Sequence, residues 1–295
     1  MPFAVRPHFD WRLRTRTLAL GPRTLIMGIL NATPDSFSDG DQFRDPRAAL
    51  THALQMLDEG ADILDLGGES TRPNSTPITP AEEQSRVLPI LRAILAARPE
   101  AVVSIDTYHA ETARLAIDCG AEIVNDVSGF LWDDAMAAAC AELACGSILM
   151  HTRGRPQQWR TLPALAPDEV LPLVLRELRA RADAALAAGI AREAIVLDPG
   201  FGFGKILDEN FPLLAQLDAL HALGFPLLVG LSRKSFLRHA LQQAESVHAL
   251  QDATTAANTT AILAGVHILR VHDVRPARQS ADLADRILKA EDDAR

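Results

Sequence analysis

Short apolar runs ending in a polar residue recur eight times along this chain, each followed by a segment with helical spacing. The runs are 25–30 (LIMGIL), 62–68, 102–107, 123–128, 147–150, 195–199, 227–232 and 268–273. The spacing predicts helices over 46–59, 80–97, 109–119, 133–144, 168–188 and 208–222, a helical region reaching 264, and a last helix over 276–290. Continuous rather than alternating apolar runs are what a parallel sheet buried on both faces requires. Eight such units in 295 residues favour a (β/α)8 TIM barrel over an open doubly wound sheet. Residues 1–24 carry two β-like stretches, 3–6 and 16–20, and are predicted as an N-terminal β-hairpin extension closing one end of a barrel spanning 25–295.

In barrels of this kind the site lies at the C-terminal ends of the strands. There the sequence places Asn31, Glu69, Asp106, Asn125, His151, Asp198, Ser232 and His272. The strand ending in Asp198 runs into a Pro and three Gly (IVLDPGFGFG, 195–204), which let backbone and Phe203 approach a ligand closely. Two strand-end loops, 31–45 and 69–80, are long and rich in Pro, Ser, Thr and Gly. They read either as lids or as surface decoration.

Composition excludes several classes. A net charge of −9 without a basic block argues against a nucleic-acid partner. No run approaches the ~18 apolar residues of a membrane span. Three cysteines with no C-x-x-C pair read as reduced thiols, and the N-terminal stretch lacks an apolar signal core, so a cytoplasmic protein is expected. The G-F-G-F-G run lacks the dinucleotide spacing G-x-G-x-x-G, and Walker A, H-E-x-x-H and G-x-S-x-G patterns are missing.

Two residue groups could carry chemistry. Asp106, Asn125 and Asp198 offer two carboxylates and an amide at buried strand ends. A buried carboxylate needs donors, which the edge of a flat amino-pyrimidine ring supplies; structural caps onto loop N–H groups are the alternative. Arg72, Arg233, Lys234, Arg270 and His272 form a cationic set. Strand alternation puts Arg270 and His272 on one side, where with Asn31 they could hold a phosphate or pyrophosphate; singly, each also suits a structural ion pair. Met150 ends its strand as core or as a soft wall against a ring.

The strings MGILNATPDSFSDG (27–40), DLGGESTRP (65–73), SIDT (104–107), IVNDVSG (123–129), LDPGFGFGK (197–205), GLSRKSF (230–236) and RVHD (270–273) together resemble the dihydropteroate synthase family, in that family's order. The resemblance implies a (β/α)8 barrel, commonly a homodimer. Its reaction joins 6-hydroxymethyl-7,8-dihydropterin pyrophosphate to p-aminobenzoate, releasing pyrophosphate. It implies catalytic roles for Asp106, Asp198, Lys234 and Arg270, and a pterin pocket of these with Asn125 and Met150. Asn31, Arg270 and His272 would bind pyrophosphate, with Mg2+ held near Asn31 and Asp35. Phe37, Thr71, Arg72, Pro73, Phe203, Lys234 and Ser235 would form the aminobenzoate side. A pterin-binding methyltransferase domain and a silent pterin-binding paralogue share parts of this pattern. The chain departs from the family pattern at Tyr108–His109 and at Thr152, and its first long loop lacks a frequent second Gly.

Overall fold

A computed structural model describes residues 3, 5–32, 46–70, 76–241 and 247–294. Two short strands, β1 (Phe9–Arg12) and β2 (Thr17–Leu20), pair antiparallel with Phe9 opposite Leu20. Eight parallel strands follow: β3 (Leu25–Asn31), β4 (Ile63–Gly67), β5 (Val103–Asp106), β6 (Ile123–Asp126), β7 (Gly146–Met150), β8 (Ile195–Asp198), β9 (Leu228–Val229) and β10 (Ile268–Val271). The sheet runs in the order β8-β7-β6-β5-β4-β3-β10-β9. A parallel bridge between Leu197 and Leu227, with Leu197 N–H donating to the Pro226 carbonyl at 3.0 Å, joins its two edges into a barrel.

The helices α1 (Pro46–Asp58), α2 (Pro80–Ala97), α3 (Ala110–Asp118), α4 (Met136–Leu143), α5 (Pro167–Ala187), α6 (Asn210–Ala215), α7 (Ser235–Ala240), α8 (Val247–Leu263) and α9 (Val274–Ala294) cover the outside. The sequence signal TPAEE starts α2: the Thr79 hydroxyl accepts from Glu82 N–H at 3.2 Å, and Pro80 sits where no N–H partner is needed. No helix of the described residues is long and apolar enough to cross a membrane. The three cysteines are free thiols.

Apolar residues separate into two packed groups, one on each side of the strands. The larger lies between strands and helices. The smaller fills the barrel interior with Leu25, Met27, Ile63, Val102, Ile123, Ile148, Val196, Leu228 and Ile268. Trp11, Leu13 and Leu20 of the hairpin join this inner group. Trp11 is fully buried and donates its indole N–H to the Ala194 carbonyl at 3.0 Å, so the hairpin stoppers the N-terminal end of the barrel.

Three expectations need correction. The first hairpin strand lies at 9–12 rather than 3–6, because residues 6 and 7 are engaged elsewhere. Buried Arg6 pairs with Asp285 at 2.9 Å, and the Pro7 carbonyl accepts from the His267 ring at 2.9 Å. The helix expected over 208–222 is broken: α6 is followed by a 3₁₀ turn over Leu217–Leu223. Leu217, Leu220 and Leu223 are buried at a spacing of three, the repeat that a 3₁₀ turn aligns on one face. The seventh barrel strand keeps only Leu228–Val229 of 227–232, since the chain turns sharply beyond Gly230 and Arg233 is left-handed at φ 58°.

Candidate functional site

The inward parity set by Met27, Ile63, Ile123, Ile148, Val196 and Ile268 carries upward along each strand. Continued upward by one or two layers, it brings Asn31, Asp65, Asp106, Asn125, Met150, Asp198 and Arg270 inside. Register sets their heights: Asn31 lies opposite Gly67, Gly67 opposite Asp106, Asp106 opposite Asn125, and Met150 opposite Asp198, while Asp65 lies lower, opposite Ile29 and Ser104, and Arg270 lies opposite Met27. Gly67 lies against Asp106: a Cβ there would meet the Asp106 Cβ in ordinary contact at 3.4 Å.

Arg270 is the hub. Its Nε donates to Asp65 Oδ2 at 2.6 Å and its Nη2 to Asp106 Oδ2 at 2.6 Å. Asn125 Nδ2 donates to the same Asp65 oxygen at 3.0 Å. Burial alone would lower the Arg270 guanidinium, but Asp65 and Asp106 outweigh it and hold the charge on. Burial pushes Asp106 up to about 7, with Arg270 opposing. Asp65 Oδ1 is buried without a hydrogen-bond partner.

Asp198 ends β8 beside this cluster and is buried. Burial raises its carboxyl to about 6; the Gly200 N–H at 2.7 Å and the cations Lys234 and Arg270 pull the other way. Lys234, just before α7, is lowered to about 8 by burial and held up by Asp198. Its ammonium stands 4.2 Å from the centroid of the Phe203 ring. Phe203 meets the edge of Trp159 at 5.3 Å, and Ser235 opens α7 next to Lys234. A carboxylate, an ammonium and a flat aromatic wall thus share one corner, while Met150 is buried on the neighbouring strand.

His272 Nδ1 lies 3.0 Å from the Ser232 hydroxyl. Arg233 is not part of the cation set: it forms a two-point ion pair with Asp273 at 3.1 and 2.7 Å, exposed at the rim. Asp35, Phe37, Thr71, Arg72 and Pro73 lie outside the described residues. Among those described, no group of three or more His, Cys, Asp or Glu could hold a metal ion.

Sequence reasoning passed over Asp65 and Lys205. Asp65 stands inside an apolar run, in phase with Ile63 and Gly67, and a carboxylate in phase with inward residues was the signal for it. Lys205 closes the glycine loop, is 2% exposed, and lies 2.9 Å from His151 Nδ1. The departures at 108–109 lie on the site's rim. Tyr108 donates its hydroxyl to Glu69 at 2.7 Å, and His109 Nε2 is 3.6 Å from the same carboxylate. Thr152 donates to the Gly154 carbonyl at 3.1 Å and shapes the loop after β7.

Fold and site together define a parallel (β/α)8 barrel with carboxylates and cations interleaved at its C-terminal mouth. A family model described as pterin binding enzyme matches residues 27–272, and the chain belongs to that family. It is 42% identical over 277 residues to a dihydropteroate synthase of Synechocystis sp., covering 94% of this chain and 91% of that one. Among solved structures, the Yersinia pestis dihydropteroate synthase with a sulfonamide drug complex superimposes with a TM-score of 0.86 at 36% identity, covering 96% of this chain and 100% of that one. The Xanthomonas albilineans dihydropteroate synthase with 4-aminobenzoic acid gives a TM-score of 0.84 at 38% identity, covering 96% and 98%.

Proposed function

We propose that this chain is a dihydropteroate synthase of folate biosynthesis: it joins 6-hydroxymethyl-7,8-dihydropterin pyrophosphate to p-aminobenzoate, giving 7,8-dihydropteroate and pyrophosphate. The observation that carries the reading is the juxtaposition of Asp198 and Lys234 with the Arg270–Asp65–Asp106 cluster. A carboxylate accepts from the amino-pyrimidine edge of a pterin, and an ammonium donates to its carbonyl or ring nitrogen. Asp106 and Asn125 complete the ring's polar contacts, while Met150 and the Arg270 stem cover its faces. Arg270, His272 and Asn31 face the pyrophosphate. Phe203, Lys234 and Ser235, with Phe37, Thr71, Arg72 and Pro73, make the aminobenzoate side.

The bond between the pterin methylene carbon and the pyrophosphate oxygen breaks first, with its electron pair leaving on oxygen. Arg270 and His272 stabilise that developing charge. The neutral aromatic amine then attacks the methylene cation through its nitrogen lone pair and loses a proton to solvent. Asp198 and Asp106 offset the positive charge on the ring meanwhile. No strong base is called for, because an aniline nitrogen is nucleophilic when neutral.

The donor chemistry fits Mg2+ in a limited way. Mg2+ keeps most of its waters and takes one or two protein oxygens plus phosphate oxygens. The Asn31 side-chain oxygen can supply one of these at the end of β3, with Asp35 a second candidate. When bound, the ion would neutralise pyrophosphate oxygens. We further infer a cytoplasmic homodimer.

The test is pyrophosphate release from the pterin pyrophosphate in Mg2+, with and without p-aminobenzoate. Release matched by 7,8-dihydropteroate formation is expected. Tight pterin binding without release would favour a silent paralogue or a methyl-transfer domain.

A further inference from the structure

Lys205 is a buried amine, lowered to about 7 by burial, that none of the steps above uses. Its ammonium lies 2.9 Å from His151 Nδ1 and donates to the Phe203 carbonyl at 3.3 Å. His151 is fully buried, and its other ring nitrogen stands 3.1 Å from Glu177 Oε2 on α5. An ammonium has only donors, so Nδ1 accepts and the ring proton sits on Nε2, facing Glu177. Burial and the neighbouring Lys205 charge keep the imidazole neutral by pushing it down to about 3. A line of three side chains therefore runs from α5 into the glycine loop.

The line ends on one backbone atom. The Phe203 carbonyl accepts from Lys205 and from Arg153 N–H at 3.4 Å. Asn210 fixes the same loop on either side, accepting from Gly202 N–H at 2.8 Å and donating to the Lys205 carbonyl at 3.1 Å. Phe203 thus has its main chain held from below while its ring faces the Lys234 ammonium. Two glycines precede that residue, at 200 and 202, and one follows it, at 204, all with positive φ, so the loop has little stiffness of its own.

We infer that Lys205 is a positioning residue for the aminobenzoate side of the site: by gripping the Phe203 carbonyl, and being itself braced by His151 and Glu177, it holds the Phe203 ring where the aromatic amine must lie. The inference rests on the functional reading above, and it assigns a role to residues that do not touch substrate. A buried charge is costly, and a purely structural brace could be apolar. What the ammonium adds is a donor aimed at the one loop carbonyl that sets the ring.

The test is a double-mutant cycle in the full chain. Lys205→Met keeps length and burial and removes the donors. It should raise the KM for p-aminobenzoate about tenfold, the size of one lost hydrogen bond to a charged group, with the KM for pterin pyrophosphate unchanged. Phe203→Leu removes the ring. In that background Lys205→Met should have no further effect on the aminobenzoate KM, because the ring it positions is gone. Additive effects, or an equal rise in both KM values, would overturn the proposal. If Lys205→Met does not fold, Glu177→Gln at the partly exposed end of the line takes its place. A rise in aminobenzoate KM that vanishes in Phe203→Leu supports the role, and an unchanged KM overturns it. Failure of the wild-type chain to form dihydropteroate would instead reject the functional reading itself.

Discussion

Arg270 Nε lies 2.6 Å from Asp65 Oδ2, joining two strands that are not neighbours: β3 stands between β4 and β10. The pair spans the barrel interior beneath the pocket. Asp65 is wholly buried and the Arg270 side chain is 20% exposed, so the interaction is little screened by water. Removing one partner leaves the other as an uncompensated charge. Asp65→Ala should therefore cost about 3 kcal/mol of stability in urea denaturation. It should also free Arg270 and Asn125 to rotate, lowering kcat/KM for the pterin substrate about a hundredfold. Asp65→Ala with normal stability and kinetics would show that Arg270 is oriented by Asp106 alone.

The parts that were legible in the sequence are those that a local pattern dictates. Eight apolar runs gave eight strands, and Asp106, Asn125, Asp198 and Arg270 converge because strand parity and register leave them nowhere else to point. Asp65 escaped notice because a single carboxylate in DILDLGG looks like an interruption until Arg270, 205 residues away, is placed beside it. Arg233 looked like a pocket cation because its neighbour Lys234 is one. Its left-handed backbone turns it instead toward Asp273, and that conformation depends on the turn after β9. The 3₁₀ turn at 217–223 was hidden for a different reason: Leu at a spacing of three fits a helix nearly as well.

Gly200 and Gly202 both have positive φ, but only one is crowded. A Cβ on Gly200 would stand 2.0 Å from the His151 carbonyl oxygen, whereas one on Gly202 would find its nearest neighbour, Lys234 Cδ, at 3.5 Å. Gly200→Ala must also displace the N–H that Asp198 accepts at 2.7 Å. Gly202→Ala should cost about 1 kcal/mol from backbone strain alone. Gly200→Ala should cost at least about 3 kcal/mol and weaken pterin binding. Guanidinium titrations of the two variants check the order, and equal losses would mean that the loop yields freely at Gly200.

The hairpin stopper can be tested without touching the pocket. Trp11→Ala removes a fully buried indole and its hydrogen bond to Ala194, from the end of the barrel opposite Asp198. The expected loss is about 3–5 kcal/mol in urea denaturation. Both KM values should stay within about twofold of the wild type, since the pocket residues keep their own layer of contacts. A small stability loss would mean that the hairpin rests on the barrel without filling it.

The pH profile follows from the two groups at the pterin corner. Asp198 must be ionised to accept from the ring's amino edge, and burial raises its carboxyl to about 6. Asp106, raised to about 7 by burial against the pull of Arg270, titrates close by, so the acid limb belongs to the pair jointly. As pH falls through this range both carboxylates gain protons and kcat/KM for the pterin substrate declines. Lys234 must be protonated to donate, and burial lowers it to about 8. As pH rises through that value the ammonium is lost and kcat/KM declines again. The profile should thus be a narrow bell with its maximum between about 7 and about 8. Lys234→Met should lose most of the activity and, in what remains, the alkaline limb, while Asp198→Asn should also lose most of the activity and leave an acid limb set by Asp106 alone. Lys205 is lowered to about 7, also by burial, and could blur the alkaline side. Lys205→Met separates the two: if the alkaline limb stays, it reports Lys234, and if the limb disappears, the buried lysine behind Phe203 sets it instead.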